Sequence, residues 1–568
     1  MKKIFLFLTL LLLSSSIKCQ ELISPLWKIS FTDTLTSQQE NWNLEKWQNV
    51  NLLWSWERQN FSALNGNCTI ASDFEVPEEL KNSPLELTIG LQANVKAIYI
   101  NGQFMGGKIP NYFWSNRGKT TVFSIPKGLL KVGKANRIAL SLSELSYTGG
   151  ISHNFLQIHP TDNRHTSTVD ITFVSKNHLF NKKDQKIAFK IKTEAQRKGN
   201  LSLLIRNDFA DTLVCQTYEV QGGENTHTID LRKYKFSPGF YEVTSILNDG
   251  SYSGDVEWFT VSPEEITCFH ETVQGFSDFW ENTLAELKEI KPEFSLQKVD
   301  SLCSESKDGY ILEMKSLNNM VIRGYYFVPK KPGSYPALLN LPGYGYGFEH
   351  HDSFLGNKDD VIQLALCVRG HGISKDTFVP YSDNPGIFGY NICEKEQTAY
   401  RGIYMDCVRA VDFLLSRPEV DKTKIGVLGG SQGGGLALAT AALCAENISA
   451  CAYFDPFPVD MRDHVKIRKI INREIKDFLA FYGNKCSFEQ AQTTLDFLDN
   501  KGFAPQIRCP VFYGTALFDD DCPPHLGFAA YNTISSSKQY KIYAEDSHLG
   551  ESNYNQDFMN FFKKQFNF

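Results

Sequence analysis

From about residue 22 to 160, short apolar runs alternate with turns, and apolar and polar positions alternate within the runs. Examples are Phe74-Glu-Val, Leu85-Glu-Leu-Thr-Ile89, Val95-Lys-Ala-Ile-Tyr-Ile, Thr121-Val-Phe-Ser-Ile125 and Arg137-Ile-Ala-Leu-Ser-Leu142. A period of two at this spacing predicts half-buried strands packed as an all-β sandwich. The same pattern returns between about 165 and 262, in Val169–Phe173, Ile187–Ile191, Leu201–Ile205, Phe240–Thr244 and Trp258–Val261. Past Ser262-Pro263 the period changes. Phe276-Ser-Asp-Phe-Trp280-Glu-Asn-Thr-Leu-Ala-Glu-Leu287 has helical apolar spacing, and strand-like runs then alternate with helical segments to the end of the chain. That alternation predicts a mostly parallel sheet covered on both faces. The expected fold class is therefore multidomain, with two N-terminal all-β sandwiches followed by an α/β domain.

The first residues stand apart. Met1-Lys-Lys is a positive start to an apolar run ending at Leu13, followed by Ser14-Ser-Ser-Ile-Lys-Cys19-Gln20. The run is too short to span a bilayer and has the flanks of a secretory signal peptide, which predicts an exported protein without a membrane span. A lipid-anchored Cys19 is the rival reading, against which Lys18 occupies a place where a small residue is wanted. The expected boundaries are 1–20 for the leader, 21–162 and 163–264 for the two β-domains and 265–568 for the α/β domain.

Ile98-Tyr-Ile-Asn101-Gly102-Gln-Phe-Met-Gly106, followed by Pro126-Lys-Gly and Asn136-Arg-Ile-Ala-Leu, resembles the jelly-roll domains of the galactose-binding-like class. The Asn-Gly hairpin needs φ > 0 at both central residues, which this pair tolerates. Trp42, Trp47, Trp54 and Trp56 cluster here. Their faces offer a glycan contact, while small β-domains more often use tryptophan as core. Ser237-Pro-Gly-Phe-Tyr241 in the second β-segment resembles the turn-then-strand of immunoglobulin-like sandwiches, and a spacer is its expected role.

Net charge is −6, with lysine and arginine unclustered, so nothing points to nucleic acid. Of the 13 cysteines, those other than Cys19 are scattered without C-x-x-C spacing. They read mostly as small buried hydrophobes, and no metal is expected.

Within the α/β region, Ile425-Gly-Val-Leu-Gly-Gly-Ser431-Gln-Gly-Gly-Gly435 runs straight into Leu436-Ala-Leu-Ala-Thr-Ala-Ala-Leu443. Strand, sharp turn and helix around Gly429-Gly430-Ser431-Gln432-Gly433 make a G-x-S-x-G nucleophile elbow of the α/β-hydrolase fold. A serine hydroxyl needs a base, an acid to orient that base, and N–H donors for the oxyanion. In this fold they follow in the order Ser, Asp/Glu, His. The strand Cys509-Pro-Val-Phe-Tyr-Gly-Thr515 leads into Asp519-Asp-Asp521, and the strand Gln539–Ala544 leads into Glu545-Asp-Ser-His548. Composition does not separate Asp519 from Asp520 or Asp521. Upstream, the strand Tyr335–Pro342 opens into Gly343-Tyr344-Gly345, where one oxyanion N–H belongs. Gln432 supplies the other.

Residues 270 to 568 resemble the acetyl xylan esterase/cephalosporin C deacetylase family, carbohydrate esterase family 7. The matching words are Tyr400-Arg-Gly-Ile-Tyr-Met-Asp-Cys-Val-Arg-Ala-Val-Asp-Phe413, Ser416-Arg-Pro-Glu-Val420, Gly429–Gly435 and Cys522-Pro-Pro-His-Leu-Gly-Phe-Ala-Ala-Tyr-Asn532. By that resemblance Ser431 is the nucleophile, Asp519 the acid, His548 the base, and Tyr344 with Gln432 the oxyanion pair. Arg369, Gly370 and His371 stand where the family has Arg-Gly-Gln, bracing the loops around the site. His371 is expected to be a structural, neutral hydrogen-bonding group. Pro342 replaces a histidine and Leu549 a glutamate, while His350 and His351 read as ordinary loop polarity.

The implied activity is a secreted carbohydrate O-acetyl esterase acting on plant polysaccharides through an acyl-enzyme, with no cofactor. A serine peptidase or amidase on the same fold and a catalytically silent glycan-binding protein are the alternatives. Compact relatives form ring-like oligomers, and two added β-domains stand to obstruct the surfaces involved.

Overall fold

The computed structural model describes residues 26–31, 42–52, 68–76, 78, 81–89, 91–92, 94–109, 121–143, 150–151, 157–161, 167–181, 188–195, 197–249, 252–345, 360–377, 388–548 and 554–568. The chain divides into two compact units. One takes Met1–Val174, Gln185–Lys235 and Tyr241–Glu257; the other takes Ser175–Asp184, Phe236–Phe240 and Trp258–Phe568.

In the first unit the period-two runs are strands. Six of them form one sheet in the order Gln48–Asn51, Leu26–Ser30, Cys68–Glu75, Ala135–Ser143, Asn94–Ile100 and Gln103–Gly106, every pair antiparallel. A three-stranded sheet joins Gln157–Pro160, Leu85–Ile89 and Thr121–Ser124. The inward set of Ile70, Leu87, Ile98, Ile138 and Leu140 is buried, as alternation demands. The hairpin turns at Asn101 and Gly102, with φ of 49° and 77°. The Asn101 amide fastens it by donating to Leu129 O and to Asn136 Oδ1, each at 2.8 Å.

Residues 168–261 add a three-stranded and a five-stranded sheet. They include two strands that the pattern did not mark, Thr212–Val220 at the edge of the five-stranded sheet and Gly223–Asp230 at the edge of the three-stranded one. Their mixed, partly exposed faces hide the alternation. Trp42 and Trp47 lie beside a short 3-10 turn, half-buried, with ring centroids 5.2 Å apart. Their rings pack on each other in a tilted arrangement, with an interplanar angle of 34°. Trp54 and Trp56 fall outside the described residues.

The second unit holds a nine-stranded sheet. We number its strands β1 (Ser295–Lys298), β2 (Lys307–Lys315), β3 (Val321–Pro329), β4 (Tyr335–Leu341), β5 (Ile362–Cys367), β6 (Val420–Gly430), β7 (Ala450–Phe454), β8 (Val511–Ala516) and β9 (Lys538–Tyr543). Their spatial order is β1-β2-β3-β5-β4-β6-β7-β8-β9. The first three strands are antiparallel to their neighbours, and everything from β5 onward is parallel. β4 and β5 are buried at every position, as strands covered on both faces must be. Helices Ala399–Ser416, Gln432–Leu443 and Tyr554–Phe566 pack on this sheet. Among the described residues no helix is long and apolar enough to cross a membrane.

Parallel strands send all their C-terminal loops to one edge. The chain reverses its winding there, between β4 and its two neighbours, and ligands of open α/β sheets bind at that edge.

Candidate active site

Ser431 is the single residue between β6 and the helix Gln432–Leu443, with φ 57° and ψ −127°. A non-glycine residue in this region costs about 1–3 kcal/mol and persists only where its surroundings impose it. Here they do. Ser431 N donates to Phe454 O at 2.9 Å, and Phe457 N and Gly434 N donate to Ser431 O at 3.0 and 2.9 Å. Strand and helix also cross too closely for side chains. A Cβ on Gly429 would stand 2.4 Å from the carbonyl carbon of Gly433, and one on Gly433 would stand 2.4 Å from Leu341 O. The glycines are therefore a steric requirement of the elbow.

Asp519 follows β8 and His548 follows β9, so both loops leave the edge that carries Ser431. His548 Nδ1 and Asp519 Oδ2 are 2.7 Å apart. The other oxygen, Oδ1, accepts from the N–H groups of Asp521 and Cys522, both at 2.7 Å. These bonds fix the carboxylate and so the imidazole, whose Nδ1 carries the proton given to Asp519. Among Asp519, Asp520 and Asp521, Asp519 is the one placed at Nδ1. Asp521 meets the other side of the ring, with Oδ2 3.5 Å from His548 Nε2. Burial pushes the His548 pKa down, but the Asp519 and Asp521 carboxylates more than offset it and leave it raised above 6.5. Among the described residues no hydrogen bond joins Ser431 Oγ to the imidazole. Such bonds commonly tighten only once substrate is bound.

Asp455, at the end of β7, lies behind this pair. It is fully buried and accepts from Thr515 Oγ1 at 2.5 Å, and burial followed by the Asp519 charge pushes its carboxyl well above the usual carboxylate range. Asp455, Asp519 and His548 gather their ligating atoms within 4.8 Å, as do Asp521, Cys522 and His548. Neither group makes a good cation cradle. Asp455 already accepts from Thr515 Oγ1, burial holds the Cys522 thiol well above its ordinary range, and the Asp519 oxygens already accept from two amides and the ring.

The expected oxyanion residues sit across β4 and β6. Gln432 opens its helix, so its N–H has no partner within that helix. Gly343-Tyr344-Gly345 follows β4, and Tyr344 Oη accepts from Phe388 N at 3.1 Å. His371 ties the two together. Its Nε2 accepts from Gly345 N at 3.1 Å and lies 3.0 Å from Gln432 Nε2, while Nδ1 lies 3.0 Å from Arg369 O. Only a neutral ring protonated at Nδ1 satisfies all three contacts, and burial pushes its pKa down to about 4.

Arg369 is 3 % exposed and holds Asp406 through Nε and Nη2 at 2.9 and 2.7 Å. Gly402 makes room for the guanidinium, since a Cβ there would stand 2.0 Å from Nη1. Gly370 takes φ 78° in the turn between Arg369 and His371. His350 and His351 lie outside the described residues.

Comparison with known proteins places this geometry in a family. Residues 264–566 match the family described as acetyl xylan esterase (AXE1). The chain belongs to the acetyl xylan esterase family. It is 30% identical over 350 residues to the acetyl esterase Axe7A of Xylanibacter ruminicola, covering 59% of this chain and 76% of that one. Among solved structures, an acetyl xylan esterase from Paenibacillus sp. R4 aligns at 29% identity over 53% of this chain and 98% of its own, with a TM-score of 0.49. Acetyl xylan esterase 1 from Thermoanaerobacterium sp. aligns at 26% identity over 54% and 98%, with a TM-score of 0.47. The protein is a carboxylic ester hydrolase with an α/β-hydrolase domain.

Several groups around the esterase's site carry no signal in its sequence. Tyr400 Oη donates to Gln432 Oε1 at 2.8 Å, across 32 positions. Arg468 Nη1 donates to the backbone oxygen of Asp521 at 2.7 Å and to its Oδ1 at 2.5 Å. Arg468 comes from the segment between β7 and β8, which holds helices Met461–Ile467, Lys469–Phe481 and Phe488–Asp496. A disulfide, Cys393–Cys486, ties this segment to the turn at Phe388–Cys393. These two are an exception to the reading of the cysteines as mostly buried hydrophobes, and a separation of 93 positions hides their pairing. Seven of the nine free cysteines among the described residues are buried, as that reading expects.

Proposed function

We propose that this esterase removes O-acetyl groups from plant polysaccharides or oligosaccharides of the xylan type by a Ser-His-Asp acyl-enzyme mechanism. The observation that carries the reading is the 2.7 Å pairing of His548 Nδ1 with Asp519 Oδ2, at the sheet edge that also carries the strained Ser431. His548 takes the Ser431 proton as Oγ attacks the acetyl carbonyl. The N–H groups of Tyr344 and Gln432 receive the oxyanion. The imidazolium then protonates the departing sugar oxygen, and the neutral ring activates the water that hydrolyses the acetyl-enzyme.

The protein is exported in this reading. The leader pattern supports it, as does the Cys393–Cys486 disulfide, since such bonds persist in oxidising compartments. Residues 21–162 form a jelly-roll domain whose half-buried Trp42–Trp47 pair offers a stacking face to sugar, and 163–264 form an immunoglobulin-like spacer.

The test is acetate release from acetylated xylan and turnover of 4-nitrophenyl acetate, beside peptide anilides. Ser431→Ala should lower kcat on both esters by on the order of 10⁴- to 10⁶-fold. Full activity in that variant would sink the mechanism, and cleavage of the anilides in preference to the esters would favour an amidase.

A further inference from the structure

Asp521 is the carboxylate that an acyl-transfer triad does not need. It is half-buried, with its side chain 35% exposed, and its position is fixed. Arg468, 3 % exposed, grips both its backbone oxygen and its Oδ1, which leaves Oδ2 facing His548 Nε2 at 3.5 Å. Nε2 is the atom that takes the serine proton and later hands it to the leaving alcohol.

With Nδ1–H directed to Asp519, the resting ring presents a lone pair at Nε2. Two acceptors then face each other with no proton between them. Such a contact is satisfied either by an imidazolium or by a donor that enters beside Nε2. During acyl transfer the group beside Nε2 is the alcohol half of the ester. A monosaccharide residue bears further hydroxyls close to the esterified oxygen, and a hydroxyl is a donor of the kind Oδ2 lacks. Hydrogen bonds from hydroxyls to carboxylates are the short, strong kind.

The charges facing this point come from four elements. Asp519 and Asp521 lie on the loop after β8, and Asp455, its carboxyl pushed up chiefly by burial, lies at the end of β7. His464, pushed down to about 3 chiefly by burial, lies on helix Met461–Ile467. Arg468 precedes helix Lys469–Phe481, which carries Glu474, pushed up to about 7 chiefly by burial. The carboxylate nearest Nε2 is that of Asp521; against its burial, the His548 and Arg468 charges hold its pKa below the ordinary value.

Resting on the esterase reading above, we propose that Asp521 is a specificity-determining residue. Its Oδ2 accepts a hydrogen bond from a free hydroxyl of the leaving sugar, so the site selects neutral polyhydroxy alcohols and disfavours anionic ones. Arg468 is its positioning residue. The composition of the triad loop does not show this, because three consecutive aspartates look alike until Arg468 and the ring divide them.

The experiment compares wild type, Asp521→Asn and Asp521→Ala on acetylated xylo-oligosaccharides, acetylated galacturonate oligosaccharides and 4-nitrophenyl acetate, at a pH where His548 is neutral. The readout is the ratio of kcat/KM between substrates. In Asp521→Ala the xylo-oligosaccharide to aryl-acetate ratio should fall about tenfold, the usual scale for losing a hydrogen bond to a charged group. In Asp521→Asn, which keeps the shape but has a single carbonyl oxygen, held by Arg468, and no charge, the galacturonate to xylo-oligosaccharide ratio should rise several-fold. Ratios unchanged in Asp521→Asn overturn the proposal, and that isosteric variant decides the matter if Asp521→Ala does not fold. A wild type that hydrolyses no acetate ester at all would instead overturn the esterase mechanism.

Discussion

The Nε2 atoms of His371 and Gln432 stand 3.0 Å apart, and Gly345 N adds a second donor to the same imidazole nitrogen. A proton on that nitrogen would break both contacts, leaving loop and elbow joined only by the Gln432 amide, whose Nε2 donates to Gly343 O at 3.2 Å and Pro342 O at 3.4 Å. The His371 pKa is about 4 in the fold against 6.5 ordinarily, so between those values the unfolded chain binds a proton that the folded chain does not. Stability from this source is therefore complete above 6.5 and is lost as pH falls through about 4, by up to roughly 3 kcal/mol. His464 adds a loss of the same sign, its pKa being about 3. Urea midpoints measured across this range should fall less steeply in His371→Gln than in wild type. Identical slopes would remove His371 from the account.

His548 titrates in the opposite sense. Its raised pKa means that half-maximal kcat/KM on the acid limb should lie above pH 6.5, since the base must be neutral to act. Replacing Asp521 by Asn removes one of the two carboxylates that raise it, and the limb should move to lower pH. A pH profile on 4-nitrophenyl acetate in which the variant's limb stays put or moves upward would contradict the 3.5 Å contact as an electrostatic one.

Arg369 and Asp406 are a buried, doubly hydrogen-bonded pair, with side chains 4% and 0% exposed. Asp406→Ala leaves an uncompensated guanidinium in the interior and should cost about 3–5 kcal/mol in urea unfolding. Replacing both partners with apolar residues should cost less than the single change. A double variant as unstable as the sum of the singles would show that no coupling exists.

The Cys393–Cys486 bond closes a loop of 93 positions around the helices that deliver Arg468. Breaking it, by reductant or by paired Cys→Ser changes, should lower stability by about 2–4 kcal/mol. Thermal melts with and without dithiothreitol measure the loss, and coincident melts would argue against it.

The parts of this protein that were legible in its sequence are those whose causes are local. Period-two runs became strands, and the Asn101-Gly102 hairpin formed because two adjacent residues tolerate positive φ. The elbow around Ser431 was readable because close crossing of strand and helix excludes every side chain at Gly429 and Gly433. The strands Thr212–Val220 and Gly223–Asp230 went unmarked for the converse reason, since their faces are too mixed to show a period. Around the site, Asp519, Asp520 and Asp521 were indistinguishable by type. Tyr400 and Arg468 bear no mark of the partners they meet.

By itself the sequence determined that strands carry a serine, an acidic run and a histidine to one edge of a sheet, because chain order and strand direction follow from short-range pattern. Only the tertiary structure decided which aspartate meets Nδ1, which faces Nε2, and which cation restrains the second. Those outcomes depend on the convergence of side chains tens to hundreds of positions apart, where packing and desolvation, not local preference, set the energies.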